Sequence, residues 1–263
     1  LTSDKDSDPS VSPGMSHTMN SVLFQDPTIA SDFCLSVFQE SSTHTNNDIF
    51  SPPGKLKACL GFWQKIGASN FIIEVISQGY KLPIKNLPPI YCRKNNASAL
   101  NNSQFVTSEI QKLVQMGCVS KVATQQHITN PLSCVCHNDK KRLVLDCSFL
   151  NLFLHKFKFQ CEDIEDARSL FEVGDWLITF DIKHAYLFVD IFPEHRKFLS
   201  FAWDSGSGME FYVYNSMAFG IATAPYLWYK LTRPLIAWWR GHHAFKVILF
   251  YDDGIAGGTT EQT

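Results

Sequence analysis

Three acidic residues stand where apolar segments end, and their types and order suit phosphoryl chemistry. Phe250-Tyr251-Asp252-Asp253-Gly254 sets two adjacent carboxylates behind the apolar run of residues 245–251. Like charges at close range raise each other's pKa, so such a pair at a hairpin tip is electrostatically costly. A tight turn needs only one Asp followed by Gly. Asp181 closes the apolar run of residues 176–180 in Phe180-Asp181-Ile182, a position with little structural reason to be acidic. Taken singly, each signal has a plain alternative: an Asp-Gly turn for the first, a strand-end or helix-capping Asp for the second. Together they form a constellation, because two hairpin-type strands of one sheet can bring Asp181 beside Asp252. Oxygen donors without His or Cys suit a hard cation such as Mg²⁺. Two such ions about 3.5–4 Å apart can activate an attacking 3′-hydroxyl and stabilise a leaving pyrophosphate. The protein then has little covalent work, since phosphoryl transfer rests on positioning and charge neutralisation.

The elements that must hold these residues can be read from pattern. Residues 176–180 read as a compact buried strand, 196–203 and 210–214 as two strands around a turn, and 245–251 with 254–256 as strand, tight turn, strand. Residues 222–239 form an amphipathic helix interrupted by Pro225 and Pro234. Strand, helix, two strands, helix, strand-turn-strand is an α+β order with helices on one face of an antiparallel sheet. Upstream, 132–136 and 142–145 can pair as a hairpin across 137–141, and 162–171 looks helical with Gly174 just after it. Thr107 is a candidate cap for a helix stopped by Gly117. Apolar residues from Leu56 to Ile66 recur at helical spacing, 69–77 suggests a second helix closed by Gly79, and Leu87-Pro88-Pro89-Ile90 reads as an extended connector. Residues 1–50, rich in Ser, Thr, Asp, Asn and Pro, read as a disordered leader with at most one short helix over 29–38.

Bulk composition bounds this reading without deciding it. The 263 residues are 45% apolar and 18% charged, enough for one large or two modest globular domains. A net charge of −2 argues mildly against a phosphate-tracking protein, although clustered acidic ligands lower the balance. The eight cysteines make no C-x-x-C pair and no zinc-finger spacing, so they are expected to be reduced and mostly buried in an intracellular, cytoplasmic or nuclear protein. No basic segment followed by an apolar core marks a secretion signal, and no apolar stretch has the length of a membrane span.

With these residues in place, the sequence resembles the reverse transcriptases. Asp181-Ile182-Lys183-His184-Ala185-Tyr186 resembles the family's first palm motif, Phe219-Gly220-Ile221-Ala222-Thr223-Ala224-Pro225 the second, and Phe250-Tyr251-Asp252-Asp253 the third. Arg142-Leu143-Val144-Leu145-Asp146 with Leu150-Asn151 resembles the fingers hairpin before them. Asn130-Pro131-Leu132-Ser133, Lys156-Phe157-Lys158-Phe159 and Ile191-Phe192-Pro193-Glu194-His195 look like the tyrosine-recombinase retrotransposons of the DIRS group, and residues 54–83 look like the lead-in of their polyproteins. The resemblance implies an α+β polymerase right hand, truncated before the thumb: a helical lead-in and connector over 51–100, fingers over 101–174 and an incomplete palm over 175–263. It implies an RNA-directed DNA polymerase using an RNA or DNA template, a DNA primer, dNTP and two Mg²⁺ ions, with Mn²⁺ as a substitute. Asp181, Asp252 and Asp253, with the backbone of Ile182, would hold the metals. Tyr186 would exclude a ribose 2′-hydroxyl, and Phe219 and Gly220 would shape the floor under the nucleotide. Arg142 would bind the triphosphate, with Lys140 or Lys141 nearby. Phe250, Tyr251 and Pro225 would lie near the primer and template.

Departures from the family's pattern are also visible. Ser148 stands where an Arg is usual, Phe250 where a Tyr is usual, and Tyr251 where an aliphatic residue is common. Tyr186 as a core aromatic, Phe219 as plain packing, and Arg142 with its lysines as a solvated hairpin end remain open from the residues alone. So does a catalytically silent remnant or a nucleic-acid-binding fragment. An RNA-directed RNA polymerase is disfavoured by the bulk of Tyr186.

Overall fold

The computed structural model describes residues 50–138, 140–242 and 246–259. The expected leader, with its helix at 29–38, lies outside the described residues. Where one helix was expected over residues 56–66, two short ones form, α1 (Lys55–Ala58) and α2 (Leu60–Lys65). Cys59 between them leaves helical geometry, and the kink lets Leu56, Cys59 and Trp63 all reach the core. α3 (Asn70–Gln78) starts where Ser69 Oγ accepts the amide of Ile72 and buries Ile72, Val75 and Ile76. Strand β1 (Tyr91–Cys92) and α4 (Ala97–Leu100) lead into α5 (Ser103–Gln115), which Gly117 ends in left-handed backbone. Thr107 is not the cap of α5. It lies a turn inside, and its hydroxyl accepts the Trp203 indole N–H at 2.9 Å.

Strands β2 (Val119–Val122), β3 (Ile128–Thr129), β4 (Leu132–His137) and β5 (Lys140–Leu145) follow. β4 and β5 pair antiparallel from Leu132↔Leu145 to His137↔Lys140, a tighter hairpin than the expected loop over 137–141. α6 (Ser148–Asn151) comes next, then α7 (Ile164–Leu170), opened by a capping box between Asp163 and Asp166. β6 (Trp176–Asp181) is followed by two short 3₁₀ turns, Ala185–Phe188 and Pro193–Phe198. The second occupies part of the strand expected from 196, because Pro193 pre-sets helical φ at its start. Extended chain begins only with β7 (Ser200–Asp204), joined to β8 (Met209–Tyr214). The long helix α8 (Ala224–His242) tolerates Pro225 in its first turn and contains Pro234. β9 (Lys246–Phe250) and β10 (Asp253–Gly258) complete the described chain.

Among the described residues there are three sheets. A five-stranded sheet runs β1-β3-β7-β8-β2, a three-stranded antiparallel sheet runs β6-β10-β9, and β4-β5 stands as a ribbon. The main core, with Phe188, Phe201 and Trp228 fully buried, joins the lead-in helices to the five-stranded sheet and α8. A smaller cluster of Phe180, Ile236, Val247 and Leu249 fastens the three-stranded sheet to α8. Each such side chain contributes roughly 1.5–3 kcal/mol on burial. Residues 176–180 were expected to be buried, and this is corrected: Trp176 is 63% and Leu177 58% exposed, and only Phe180 is deeply covered. β6 lies at the edge of its sheet beside β10, and among the described residues little covers the outer positions of its apolar run. Among the described residues no helix is long and apolar enough to cross a membrane.

Among the described cysteines, Cys59, Cys118, Cys134 and Cys147 are buried, Cys92 and Cys136 exposed and Cys161 half-buried; all are free thiols.

Candidate active site

The three-stranded sheet brings the acidic residues to one end. Asp253 is the direct cross-strand partner of Asp181 on one side and of Phe250 on the other. Opposed residues of an antiparallel pair have Cβ atoms about 4.5–5.5 Å apart, so the two carboxylates are neighbours. The hairpin turn therefore has Tyr251 and Asp252 at its centre, and Tyr251 takes left-handed backbone at φ 56. Asp-Gly is not the turn. Gly254 sits inside β10, where a Cβ would come within 2.1 Å of the Phe180 ring, so it is glycine because of close packing.

Both carbonyls of the turn are held by other elements. The amide of Ile182 donates to the Asp252 carbonyl oxygen at 2.9 Å, and the Trp228 indole N–H of α8 donates to the Tyr251 carbonyl oxygen at 2.8 Å. Loss of hydration pushes the Asp252 carboxyl above its ordinary range; the negative charges of Asp253 and Asp181 push the same way, and the Arg142 guanidinium pulls back. Asp181, Asp253 and Arg142 thus lie near enough to act on the Asp252 charge. A cavity of about 840 Å³ opens beside them, walled by Thr179, Phe180, Ile248, Phe250 and Ile255 with Asp181 and Asp253 on its rim. Among the described residues no three or more His, Cys, Asp or Glu side chains converge tightly enough to hold a metal ion unaided. The donor set nonetheless fits a hard divalent cation: adjacent carboxylates without His or Cys, whose mutual repulsion a cation would relieve.

A second group of residues centres on Tyr186. Tyr186 lies in the turn Ala185–Phe188, its ring 5.0 Å from Phe219 and 6.4 Å from Trp228. Burial first, and then the Asp252 charge, push its hydroxyl up to about 12, so it stays neutral. Phe219 is 45% exposed, with one side of its ring against Tyr186. Gly220 has φ +113, and a Cβ there would fall 1.9 Å from the Leu145 carbonyl oxygen. The second motif is thereby pressed against the end of β5. Pro225 sits in the first turn of α8, behind the buried Thr223, whose hydroxyl hydrogen-bonds Tyr80. Phe250, 51% exposed, meets Tyr251 edge-on at 4.7 Å.

The hairpin β4-β5 carries the cations. Alternation along β5 puts Lys140 on the face of Arg142 and Lys141 on the other, with Leu143 and the Cys136 and Cys134 partners. On the wall of the same cavity, Glu162 bridges Arg233 and Arg240 of α8 at 2.8 Å each. Burial raises the Glu162 carboxyl, and the hydrogen bonds and charges of the two arginines outweigh it, leaving it below its usual range.

Two positioning contacts had no counterpart in the reading of motifs. Asn151 of α6 donates to the Gly220 carbonyl oxygen and accepts the Ala222 amide, both at 2.9 Å, so it clamps the loop of the second motif from both sides. Its place beside the fingers hairpin motif was visible; its partner was not. Trp228, one of several tryptophans on a helical face, carried no signal that its N–H would reach the Tyr251 carbonyl.

The matches to known proteins agree with this geometry. Residues 136–263 match the family model described as reverse transcriptase (RNA-dependent DNA polymerase). No curated protein matches the chain. Among solved structures, the native Prototype Foamy Virus protease–reverse transcriptase is similar at a TM-score of 0.54 and 18% identity, covering 70% of this chain and 24% of that one. Its selenomethionine-labelled CSH mutant matches at 0.53 and 18%, covering 69% and 23%. The chain thus spans about a quarter of the length of these proteins, and the likeness shows the fold: a mixed α+β arrangement like that of a retroviral polymerase domain. Residues 136–263 thus resemble the reverse transcriptase domain that this family model describes.

Proposed function

We propose that this chain is the fingers-and-palm part of a retrotransposon reverse transcriptase, acting inside the cell, in cytoplasm or nucleus, to extend a DNA primer on an RNA or DNA template. The observation that carries the reading is the cross-strand pairing of Asp181 with Asp253, next to Asp252 and within the field of Arg142. Asp181 and Asp252 would hold two Mg²⁺ ions, with Asp253 and the carbonyl of Ile182 in support and Mn²⁺ as a substitute. When bound, the ions supply charge neutralisation at the attacking 3′-hydroxyl and the departing pyrophosphate. The protein's own residues orient the reactants. Arg142 presents a planar fork to the triphosphate, and Lys140, on the same face of β5, is the lysine that accompanies it. Tyr186, kept neutral and packed against Phe219, forms the wall that excludes a 2′-hydroxyl. Gly220 lets the floor of the nucleotide site lie directly on the end of β5. Phe250 and Tyr251 present their rings at the hairpin tip, towards the primer end, and Pro225 begins the helix behind the template base.

The finer assignment to DIRS-group elements rests on the segments 130–133, 156–159 and 191–195. The lead-in over 51–100 would serve as a brace: Gly54 donates to the Asp190 carboxylate, just beyond the first palm motif, and Tyr80 to Thr223 within the second. β7 and β8, within the expected palm segment, share the five-stranded sheet with β2 from the expected fingers segment, so in this reading the sheet would join the two. Primer extension tests the reading. Metal-dependent incorporation of dNTP in preference to NTP, abolished by Asp252→Asn, is expected. Extension that proceeds without metal or survives the substitution would refute it. Binding of primer–template without incorporation would favour a silent, nucleic-acid-binding form.

A further inference from the structure

We infer that Trp228 is a positioning residue of the active site, whose indole N–H sets the carbonyl of Tyr251 and so the direction of the Asp252 and Asp253 carboxylates. The inference rests on the proposed role of those carboxylates. Trp228 is 1% exposed, yet its single polar atom leaves α8 to donate to the hairpin turn at 2.8 Å. The acceptor is not an ordinary strand carbonyl. Tyr251 is a bulky residue at φ 56, a conformation costing an L side chain roughly 1–2 kcal/mol, so the turn has a standing tendency to relax. Nothing in the strand ladder resists this, because Tyr251 and Asp252 lie between the last paired residues, Phe250 and Asp253. Among the described residues, two hydrogen bonds from outside to the turn's carbonyls do resist it. Ile182, next to Asp181, fixes the Asp252 carbonyl, and Trp228 fixes that of Tyr251. The turn is thereby pinned to the first motif on one side and to the helix of the second on the other. The same indole meets Tyr186 edge-on at 6.4 Å, so one side chain touches both the carboxylate turn and the proposed nucleotide wall.

Trp228→Phe keeps an aromatic ring in the core and removes the donor. In the full 263-residue chain, its Mn²⁺ affinity, measured by electron paramagnetic resonance without substrates, should fall about tenfold, the change expected for one lost hydrogen bond to a half-buried carbonyl. Hydrogen exchange of the Ile182 amide should quicken to a similar extent, while the amide of Leu231, on α8 itself, keeps its protection. Replacing Trp228 by benzothienylalanine, which has nearly the same shape with sulfur for N–H, should reproduce both effects and separates the hydrogen bond from packing if the Phe variant does not fold. Unchanged Mn²⁺ affinity with unchanged Ile182 protection would overturn the inference. Equal acceleration at Ile182 and Leu231 would do so too, since it would mark a global loss of packing. Wild-type protein that binds no Mn²⁺ would defeat the reading of the carboxylates, and Ile182 exchange would still decide what Trp228 does for the turn.

Discussion

An alanine at Gly220 probes whether the floor of the site is truly pressed against the fingers ribbon. The added Cβ would lie 1.9 Å from the Leu145 carbonyl oxygen and 3.1 Å from its carbon. Carbon and oxygen in contact sit roughly 3.3 Å apart, so the loop must retreat by something on the order of 1 Å. The backbone at φ +113 adds strain of about 1–2 kcal/mol for any L side chain. Overpacking against a fixed backbone atom costs about 1–3 kcal/mol more. The sum, about 2–5 kcal/mol, is a large part of the roughly 5–15 kcal/mol that holds a domain together. Gly174 supplies the control: its φ is +100 and a Cβ there meets nothing within 4 Å, so Gly174→Ala carries the strain alone. Urea unfolding of both variants should show Gly220→Ala the more destabilised by about 1–3 kcal/mol. Equal costs would refute the close approach of the second motif to β5, and with it the account of why glycine stands there.

Two further outcomes follow from the same contacts. Asn151→Ala removes both hydrogen bonds that hold the loop of Phe219, so stability should fall by about 1–3 kcal/mol and KM for dNTP should rise more than kcat falls, read from steady-state incorporation. Glu162→Gln should cost about 2 kcal/mol at neutral pH, because Arg233 and Arg240 lose a largely covered partner while remaining partly hydrated themselves. The Glu162 carboxyl sits below its usual range when folded, so its contribution is fully present above the ordinary glutamate pKa and is lost as pH falls through the lowered value. Thermal melts should therefore show the wild type losing part of its advantage over Glu162→Gln below about pH 4.3.

What could be read from residue types was the local and the chemical. Alternation in residues 132–145 marked the β4-β5 ribbon, Gly79 and Gly117 marked helix ends by mechanism, and the acidic residues behind two apolar runs marked one end of a sheet that pairs Asp181 with Asp253. What could not be read depended on distant partners. The run at 176–180 looked buried because periodicity registers apolar character, not whether a second layer covers it. Thr107 looked like a cap because its type is compatible with one; only the fold shows Trp203 as its partner. Gly254 looked like a turn residue, whereas the Phe180 ring across the strand is what excludes a side chain there. The Trp228 and Asn151 contacts end on backbone carbonyls or amides, groups every residue has, so no residue type announces them.

The central claim is that Asp181, Asp252 and Asp253 form one divalent-cation site. Electron paramagnetic resonance titration of the chain with Mn²⁺ in the presence of dNTP measures that directly. The account expects two bound Mn²⁺ ions per chain, with affinity reduced at least tenfold in Asp181→Asn and again in Asp252→Asn. Binding that is unchanged in both variants would contradict it.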